Sequence, residues 1–281
     1  MLDHGGEPLV VIAAPNGARL DKAGHPAVPL SATEIADCAV NLAAVGVSVL
    51  HLHVRDERGG HVLDATRYRA AMDAIRDRVA DRLVLQVTTE AVGQYNRQQQ
   101  MALVRELRPE AVSLALRELC PDADAEDDAG KFFRELAEMD VWPQYILYSA
   151  AEAARFEQLR QDGFFGAANP FALFVLGRYS DTLMGDPAEL ENFLATFEPG
   201  AFPWAVCCFG ATEATAVQRA SAAGGHVRIG FENNRTLPDG SMARDNAQLV
   251  AAELRTLMRP DGPQRPIASV DWVRRQLAGR Q

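Results

Sequence analysis

Lysine is almost absent from this chain of 281 residues, which has Lys22 and Lys131 among 28 basic residues. An enzyme that forms a Schiff base needs a lysine buried near the end of a strand. Lys131 falls in a polar, acidic stretch and Lys22 in an early loop, so the sequence disfavours imine chemistry. Arginine supplies nearly all of the positive charge.

The chain also lacks any excess of basic charge, since its net charge is -10 at pH 7. Nucleic acids and anionic membrane surfaces are bound by basic patches, so we expect neither partner. No apolar run is long enough to cross a bilayer, and the start of the chain, Met1–Gly6, has no basic segment followed by an apolar one. These absences predict a cytoplasmic protein.

Cysteine is scarce and never arranged as a CxxC pair. The four residues, Cys38, Cys120, Cys207 and Cys208, are therefore predicted to be reduced, buried thiols. A Gly-x-Gly-x-x-Gly loop is also missing after the early strands, which disfavours a dinucleotide-binding fold.

What the chain does contain is an alternation of short apolar runs with helical patterns. The predicted strands are Leu9–Ala13, Val47–Val54, Leu83–Thr88, Ala111–Leu114, Val141–Leu147, Ala172–Leu176, Trp204–Cys207 and His226–Gly230. The predicted helices are Thr33–Ala44, Ala65–Val79, Arg97–Leu107, Lys131–Met139, Ala150–Leu159, Pro187–Phe197, Thr212–Ala223 and Ala243–Met258. Eight βα units predict an α/β fold, a parallel (β/α)₈ TIM barrel, with an open doubly wound sheet as the alternative.

The whole chain, 1–281, is assigned to one barrel domain with a short C-terminal helical extension over 258–281. Ser31 and Glu34 form the pattern of a capping box before the first helix. The acidic stretch from Cys120 to Gly130 is predicted to be a solvated surface loop. A final short helix from Val270 is expected either to cap the barrel or to pack on a neighbouring subunit.

Two histidines close the second predicted strand, in His51-Leu52-His53. Because residues two apart in a strand point to the same side, both imidazoles project from the C-terminal end of this strand. Glu232 follows the eighth strand, and two histidines with one carboxylate suit an open Zn²⁺ site. The alternatives are a hydrogen-bonded pair of interior histidines, and a structural ion pair between Glu232 and Arg228.

Further polar residues follow the other strands, at the barrel end where catalytic groups gather. Arg228 is predicted to bind a substrate carboxylate through its guanidinium fork. Glu90 is either a base or a solvated loop residue. The predicted substrate-binding residues are Asn16, Thr88, Thr89 and Ser113, although threonines at strand ends commonly satisfy backbone groups instead.

Four segments of the chain resemble the β-keto acid cleavage enzymes, and the resemblance covers nearly its whole length. They are His51-Leu52-His53-Val54-Arg55-Asp56, Arg228-Ile229-Gly230-Phe231-Glu232-Asn233-Asn234, Pro26-Ala27-Val28-Pro29 and Arg265-Pro266-Ile267-Ala268. The resemblance implies a homotetramer of (β/α)₈ barrels, with one Zn²⁺ per subunit held by His51, His53 and Glu232. It also implies that a β-keto acid and acetyl-CoA are converted to acetoacetate and a new acyl-CoA, with Arg228 and hydroxyls such as Thr88 steadying the carboxylate.

Two positions depart from the family pattern. The family commonly has an aspartate that takes part in proton transfer where this chain has Asn233, whose amide cannot accept a proton at neutral pH. Gln144 stands where the family has a supporting glutamate. The predicted catalytic set is therefore Arg228, Asn233 and Glu90, with Glu118 as a second candidate for the base.

The sequence also offers a candidate site for the co-substrate and two alternative functions. An arginine cluster that includes Arg19 or Arg178 is a candidate for the phosphates of acetyl-CoA. A zinc-dependent hydrolase or lyase acting on a related small carboxylate is one alternative function. A metal-binding homologue without catalytic activity is the other.

Overall fold

Eight parallel strands form a closed barrel in the order in which they occur along the chain. The computed structural model describes residues 7–166, 170–258, 262 and 264–279. The strands are β1 (Val11–Ala13), β2 (Val49–Leu52), β3 (Val84–Thr88), β4 (Ala111–Ala115), β5 (Trp142–Leu147), β6 (Phe171–Leu176), β7 (Trp204–Cys208) and β8 (His226–Ile229). Pairing of β8 with β1 closes the barrel, so the predicted (β/α)₈ fold is confirmed and the open sheet is wrong.

Helices alternate with the strands. They are α1 (Ala32–Ala44), α2 (Ala65–Val79), α3 (Arg97–Leu107), α4 (Leu116–Leu119), α5 (Glu126–Glu138), α6 (Ala150–Gln161), α7 (Glu189–Leu194), α8 (Glu213–Ala222), α9 (Asn246–Leu257) and α10 (Val270–Trp272). The predicted capping box is present at the start of α1, where Ser31 and Glu34 accept from each other's backbone amides. None of the described helices combines the length and the apolar composition that a membrane span requires.

The prediction of a solvated loop from Cys120 to Gly130 was wrong. Ala123–Ala125 forms a 3-10 turn and α5 begins at Glu126, so most of the segment is helical. Glu126, Asp127 and Asp128 occupy the first turn of α5, where the helix dipole favours negative charge. Gly130 is buried within the helix. The acidic composition therefore marked a helix N-terminus.

The end of the chain covers the N-terminal end of the barrel. Val273 is buried among apolar residues that point into the barrel, including Val49 and Ala111 near the starts of their strands. Arg274 Nε lies 2.6 Å from Glu110 Oε1 in an ion pair. The predicted final helix thus caps the barrel. Residues 1–6 and, in the predicted extension, 259–261, 263, 280 and 281 lie outside the described part of the chain.

Candidate metal centre and active site

Two histidines and a glutamate converge at the C-terminal end of the barrel. The Nε2 atoms of His51 and His53 are 3.1 Å apart. Glu232 Oε2 lies 3.5 Å from His51 Nε2 and 3.3 Å from His53 Nε2. Both histidines are buried, and one ligand atom from each of the three residues lies within 4.8 Å of the others.

A turn after β8 brings Glu232 to this position. Asn233 N and Asn234 N both donate to the carbonyl oxygen of Gly230, at 2.8 and 3.0 Å, so the chain reverses at once. Glu232 N donates to the carbonyl oxygen of Ala14 at 3.1 Å. The end of β1 thus holds the backbone from which the glutamate side chain reaches the histidines.

Hydrogen bonds on the far side of the imidazoles determine which nitrogen carries the proton. His51 Nδ1 lies 2.9 Å from Gln86 Oε1, an acceptor, so Nδ1 is the donor. His61 Nε2 donates to the carbonyl oxygen of Glu90 at 3.0 Å, and its Nδ1 is therefore the acceptor for His53 Nδ1 at 3.4 Å. In this pattern of donors the Nδ1 atoms carry the protons, and the Nε2 lone pairs point into the site.

The three convergent atoms are all acceptors. Burial is the main reason that the pKa of His51 falls to about 3, so this ring is neutral. Burial opposes ionisation of Glu232, but Arg228 and the two histidines together outweigh burial and hold the pKa of that carboxyl well below its usual range. Glu232 Oε2 is buried and has no hydrogen-bond partner. A divalent cation would satisfy all three atoms, and one carboxylate with two imidazoles fits Zn²⁺.

Gly17, in the first βα loop, lies directly against Glu232. Its φ is +61°, in the left-handed region, and an added Cβ would lie 2.6 Å from Glu232 Cγ. The absence of a side chain at this position therefore allows the carboxylate to sit where it meets the histidines.

We expect Gly17→Ala to weaken zinc binding by about 10-fold or more, because the methyl group displaces a ligand carboxylate. Competition with a chromophoric chelator would measure the zinc dissociation constant. Gly200→Ala is the matched control, since Gly200 has a φ of +81° and no neighbouring atom within 4 Å of its added Cβ. The control should cost about 1–2 kcal/mol of stability and leave zinc affinity unchanged. Equal zinc affinities in the two variants would contradict the packing argument.

Arg228 is buried beside the metal centre and makes its hydrogen bonds through one nitrogen. Its Nη2 donates to Glu232 Oε1 and Asn233 Oδ1 at 3.0 Å each, and to Cys207 Sγ at 3.2 Å. Glu232 thus uses Oε1 in an ion pair with Arg228 and presents Oε2 to the histidines. A structural ion pair and a role as a metal ligand are therefore compatible for this residue. Arg228 Nε is buried without a hydrogen-bond partner.

The predicted substrate-binding residues of β3 and β4 face different surroundings. Thr88 borders a small cavity above the histidines, and its hydroxyl accepts from Glu90 N at 3.1 Å. Thr89 donates to the carbonyl oxygen of Ser113 at 3.1 Å, which satisfies a strand-end backbone group. Ser113 Oγ is buried inside the barrel without a partner. Among these three, Thr88 is the one that borders a described cavity.

The side chain of Asn16 is hydrogen-bonded to backbone atoms of His53 and Pro29. Its Nδ2 donates to the carbonyl oxygens of His53 and Pro29 at 3.0 Å each, and its Oδ1 accepts from His53 N at 3.4 Å. Asn16 also borders a larger cavity above the histidines, the outer cavity. In this structure its amide fixes the first loop to the end of β2 and so positions His53.

Glu90 and Glu118, the two candidate bases, occupy different environments. Glu90 borders both cavities; its Oε1 pairs with Arg19 at 2.8 Å and its Oε2 lies 4.0 Å from His53 Nδ1. Glu118 Oε2 accepts from Ala91 N at 3.1 Å and from Gln100 Nε2 at 2.6 Å. Glu118 borders neither cavity and stabilises the connection after β3.

Gln144 supports His51 indirectly, through Gln86. Its Oε1 accepts from Gln86 Nε2 at 3.3 Å, and Gln86 in turn accepts from His51. Gln86 could not be identified from the sequence, because an amide in the middle of an apolar strand resembles any other interior polar residue. His61 holds the far side of the His53 ring, and no pattern in the sequence connects it with that ring.

Two adjacent cavities lie above the candidate metal site. The inner one, of about 20 Å³, has room for about one water molecule. The outer one measures about 530 Å³. The residues shared by their walls are Glu90, Arg178, Phe209 and Glu232. Apolar residues on the outer wall, Leu183, Met184 and Met242, follow no periodic pattern and could not be predicted from the sequence.

The sequence model of the family described as beta-keto acid cleavage enzyme matches residues 8–278. The chain belongs to this family. It is 30% identical over 277 residues to the 3-keto-5-aminohexanoate cleavage enzyme of Fusobacterium nucleatum, which covers 97% of this chain and 98% of that protein. It is 26% identical over 278 residues to the 3-oxoadipate:acetyl-CoA acetyltransferase of Cupriavidus necator, with coverage of 96% and 95%.

A solved structure, the ternary complex of ObcA with a C4-CoA adduct and oxalate, has a similar fold. The TM-score is 0.70 at 16% identity, over 90% of this chain and 67% of that chain. This likeness concerns the barrel alone. Membership of the β-keto acid cleavage family confirms the resemblance seen in the sequence, and it makes the chain an enzyme that cleaves a carbon–carbon bond and transfers an acyl group.

Proposed function

We propose that the protein catalyses acyl exchange between a β-keto acid and acetyl-CoA, with Zn²⁺ held by His51, His53 and Glu232. The bond between the keto carbon and the neighbouring methylene of R–CO–CH₂–COO⁻ breaks. The CH₂–COO⁻ fragment takes the acetyl group of acetyl-CoA and becomes acetoacetate, while R–CO is transferred to CoA. The convergence of three acceptor atoms beneath a cavity, in a chain of this family, carries the proposal.

A bound Zn²⁺ ion would supply Lewis-acid polarisation of the keto group. Arg228 contributes a fixed positive charge: burial disfavours that charge, but Cys207 and Glu232 beside it raise the pKa of Arg228 above its ordinary value. Its Nε–H has no partner among the residues that the structure describes, so it is a donor held ready for a carboxylate or for developing negative charge. Such donors act strongly in a water-poor site.

We assign the base to Glu90. Arg19 holds its Oε1, so Oε2 is the oxygen left to take a proton from the methylene carbon of the substrate. Asn233 cannot take this role, because its Oδ1 already accepts from Arg228 and an amide has no useful basicity. Asn233 instead contributes by holding the guanidinium.

We expect Glu90→Gln to lower kcat by about 10²–10⁴-fold, the usual contribution of a general base, with a smaller change in KM. Glu118→Gln is the control, because an amide oxygen there still accepts from the two donors that Glu118 Oε2 now holds. Steady-state kinetics on the best keto acid would compare the two variants. If Glu118→Gln proved the more damaging change, the assignment of the base would be wrong.

Three arginines on the wall of the outer cavity bring positive charge to it in an otherwise acidic protein. They are Arg19, Arg178 and Arg235. We propose that they face the phosphates of acetyl-CoA, which enters through the outer cavity. A homotetramer and a cytoplasmic location are further proposals that the family resemblance supports. Sedimentation of the purified protein would test the first of these.

Incubation with acetyl-CoA and a panel of β-keto acids, followed by mass spectrometry, tests the function. The proposal predicts acetoacetate and a new acyl-CoA whose mass follows the acid. A zinc-dependent hydrolase would instead release a free acid and leave CoA unacylated by the substrate. Bound zinc without any turnover would favour the non-catalytic homologue.

A further inference from the structure

A buried carboxyl group lies just behind the active site, and neither cavity reaches it. Glu213, the first residue of α8, is fully buried with 0% exposure. Its Oε2 accepts from Asn234 Nδ2 at 3.2 Å and its Oε1 from Asn233 Nδ2 at 3.5 Å. One carboxyl group thus contacts both amides that follow Glu232.

These contacts fix which way each asparagine amide faces. Asn233 Nδ2 also donates to the carbonyl oxygen of Arg228 at 3.1 Å, and Asn234 Nδ2 donates to that of Thr236 at 2.7 Å. Each Nδ2 therefore faces oxygen atoms, and each Oδ1 faces away from Glu213. Asn233 Oδ1 accepts from Arg228 Nη2 at 3.0 Å, and Asn234 Oδ1 accepts from Thr236 N at 2.8 Å. An arginine side chain is only a donor, and Asn233 Nδ2 faces oxygen atoms of both Glu213 and the Arg228 backbone, so the amide of Asn233 fits in one orientation.

We infer that Glu213 is a positioning residue, which acts through the Asn233 amide to hold the Arg228 guanidinium against Glu232. The inference rests on the proposed function of Arg228. It also explains how this chain accommodates an amide where its family commonly has an aspartate. A carboxyl at 233 would accept from Arg228 but would then need a donor from position 213, whereas an amide at 233 needs an acceptor there.

The geometry therefore predicts that the two side chains can exchange their chemistry. In Glu213→Gln alone, one amide oxygen must serve two Nδ2 donors while the new amide nitrogen faces a donor. In the double variant Glu213→Gln with Asn233→Asp, the glutamine oxygen still accepts from Asn234 and its nitrogen donates to position 233. Each hydrogen bond between 213, 233 and 234 is restored, whereas the bond from Asn233 Nδ2 to the carbonyl oxygen of Arg228 is lost, so the recovery is partial.

Glu253 provides the control for a merely structural effect. This residue of α9 carries a second buried carboxyl group, and burial raises its pKa to about 7. The pKa of Glu213 is raised by its own burial and, in addition, by the charge of Glu253. The described structure shows no hydrogen bond from Glu253 to Asn233. Glu253→Gln removes a charge near Glu213 but no hydrogen bond of the 213–233–234 set, so it should alter stability and leave kcat and zinc affinity within about 2-fold of the wild type.

A double-mutant cycle tests the inference. Zn²⁺ affinity and kcat are measured for the wild type, both single variants and the double variant, with thermal unfolding as a readout that needs no turnover. We expect Glu213→Gln to lose about 10–100-fold in zinc affinity and kcat, and the double variant to recover at least about 10-fold of it. Losses that add without recovery, in all three readouts, would overturn the inference. A wild type without turnover on any acid would refute the proposed function, and the cycle in zinc affinity and unfolding would still decide this point.

Discussion

Replacement of His51 by alanine is expected to remove tightly bound zinc and to abolish acyl exchange. The side chain supplies one of three convergent acceptors, and its Nε2 lies within 3.5 Å of both other ligands. Even residues that merely support a metal ligand contribute about 10–100-fold in affinity, so the loss of a ligand should exceed 100-fold. Zinc content by plasma mass spectrometry and kcat on the same preparation would measure both effects.

His226 offers a matched control for this variant. It is a buried histidine at the start of β8, at the opposite end of the barrel, where its Nδ1 accepts from Val10 N at 3.1 Å. His226→Ala should cost about 1–3 kcal/mol of stability, because it leaves a buried amide unpaired. Zinc content should be unchanged. A His51→Ala protein that kept stoichiometric zinc and turnover would contradict the assignment of the metal centre.

Arg228→Met is the second change with a large expected effect. The substitution leaves Glu232 Oε1 and Asn233 Oδ1 without their donor in a buried site. Breaking a buried ion pair from one side costs about 3–5 kcal/mol, and removing a preorganised donor lowers kcat by about 10²–10³-fold. The stability and kcat of Arg228→Lys should lie between those of the wild type and those of Arg228→Met, because one ammonium group cannot reproduce the geometry of the guanidinium. Denaturant unfolding and steady-state kinetics would measure the losses.

Arg265 separates the structural part of that effect from the functional part. It is also a buried arginine, but it donates to backbone oxygens of Glu7 and Ser221 far from the histidines. Arg265→Met should lower stability by a comparable amount with a normal kcat for the folded protein. If Arg228→Met retained a wild-type kcat, the guanidinium would have no part in the reaction.

The barrel and the histidine pair could be predicted because both depend on local periodicity. Apolar runs alternating with helical patterns determine the order of elements, and the spacing of His51 and His53 places both on one side of β2. Glu232 lies far away in sequence, and its place after the eighth strand, together with the family resemblance, connected it with the histidines. Closure of the barrel then brings β8 next to β1 and, through it, to β2.

What could not be predicted depends on contacts between distant parts of the chain. Thr89 and Asn16 follow strands just as Thr88 does, yet their polar groups are bound to backbone atoms that only the folded chain brings near. Glu118 was a plausible base until its side chain was seen to hold Ala91 and Gln100. The sequence identifies polar residues at the right end of a barrel, but not which of them keep a free hydrogen-bonding group.

Acetyl-CoA labelled with ¹³C in both acetyl carbons tests the central claim most directly. Acyl exchange predicts that the zinc-loaded enzyme places both labelled carbons in the acetyl half of acetoacetate, and that the new acyl-CoA carries no label. Labelled free acetate, with acetoacetate and acyl-CoA absent, would contradict the account, because it would mean that the site hydrolyses thioesters rather than exchanging acyl groups.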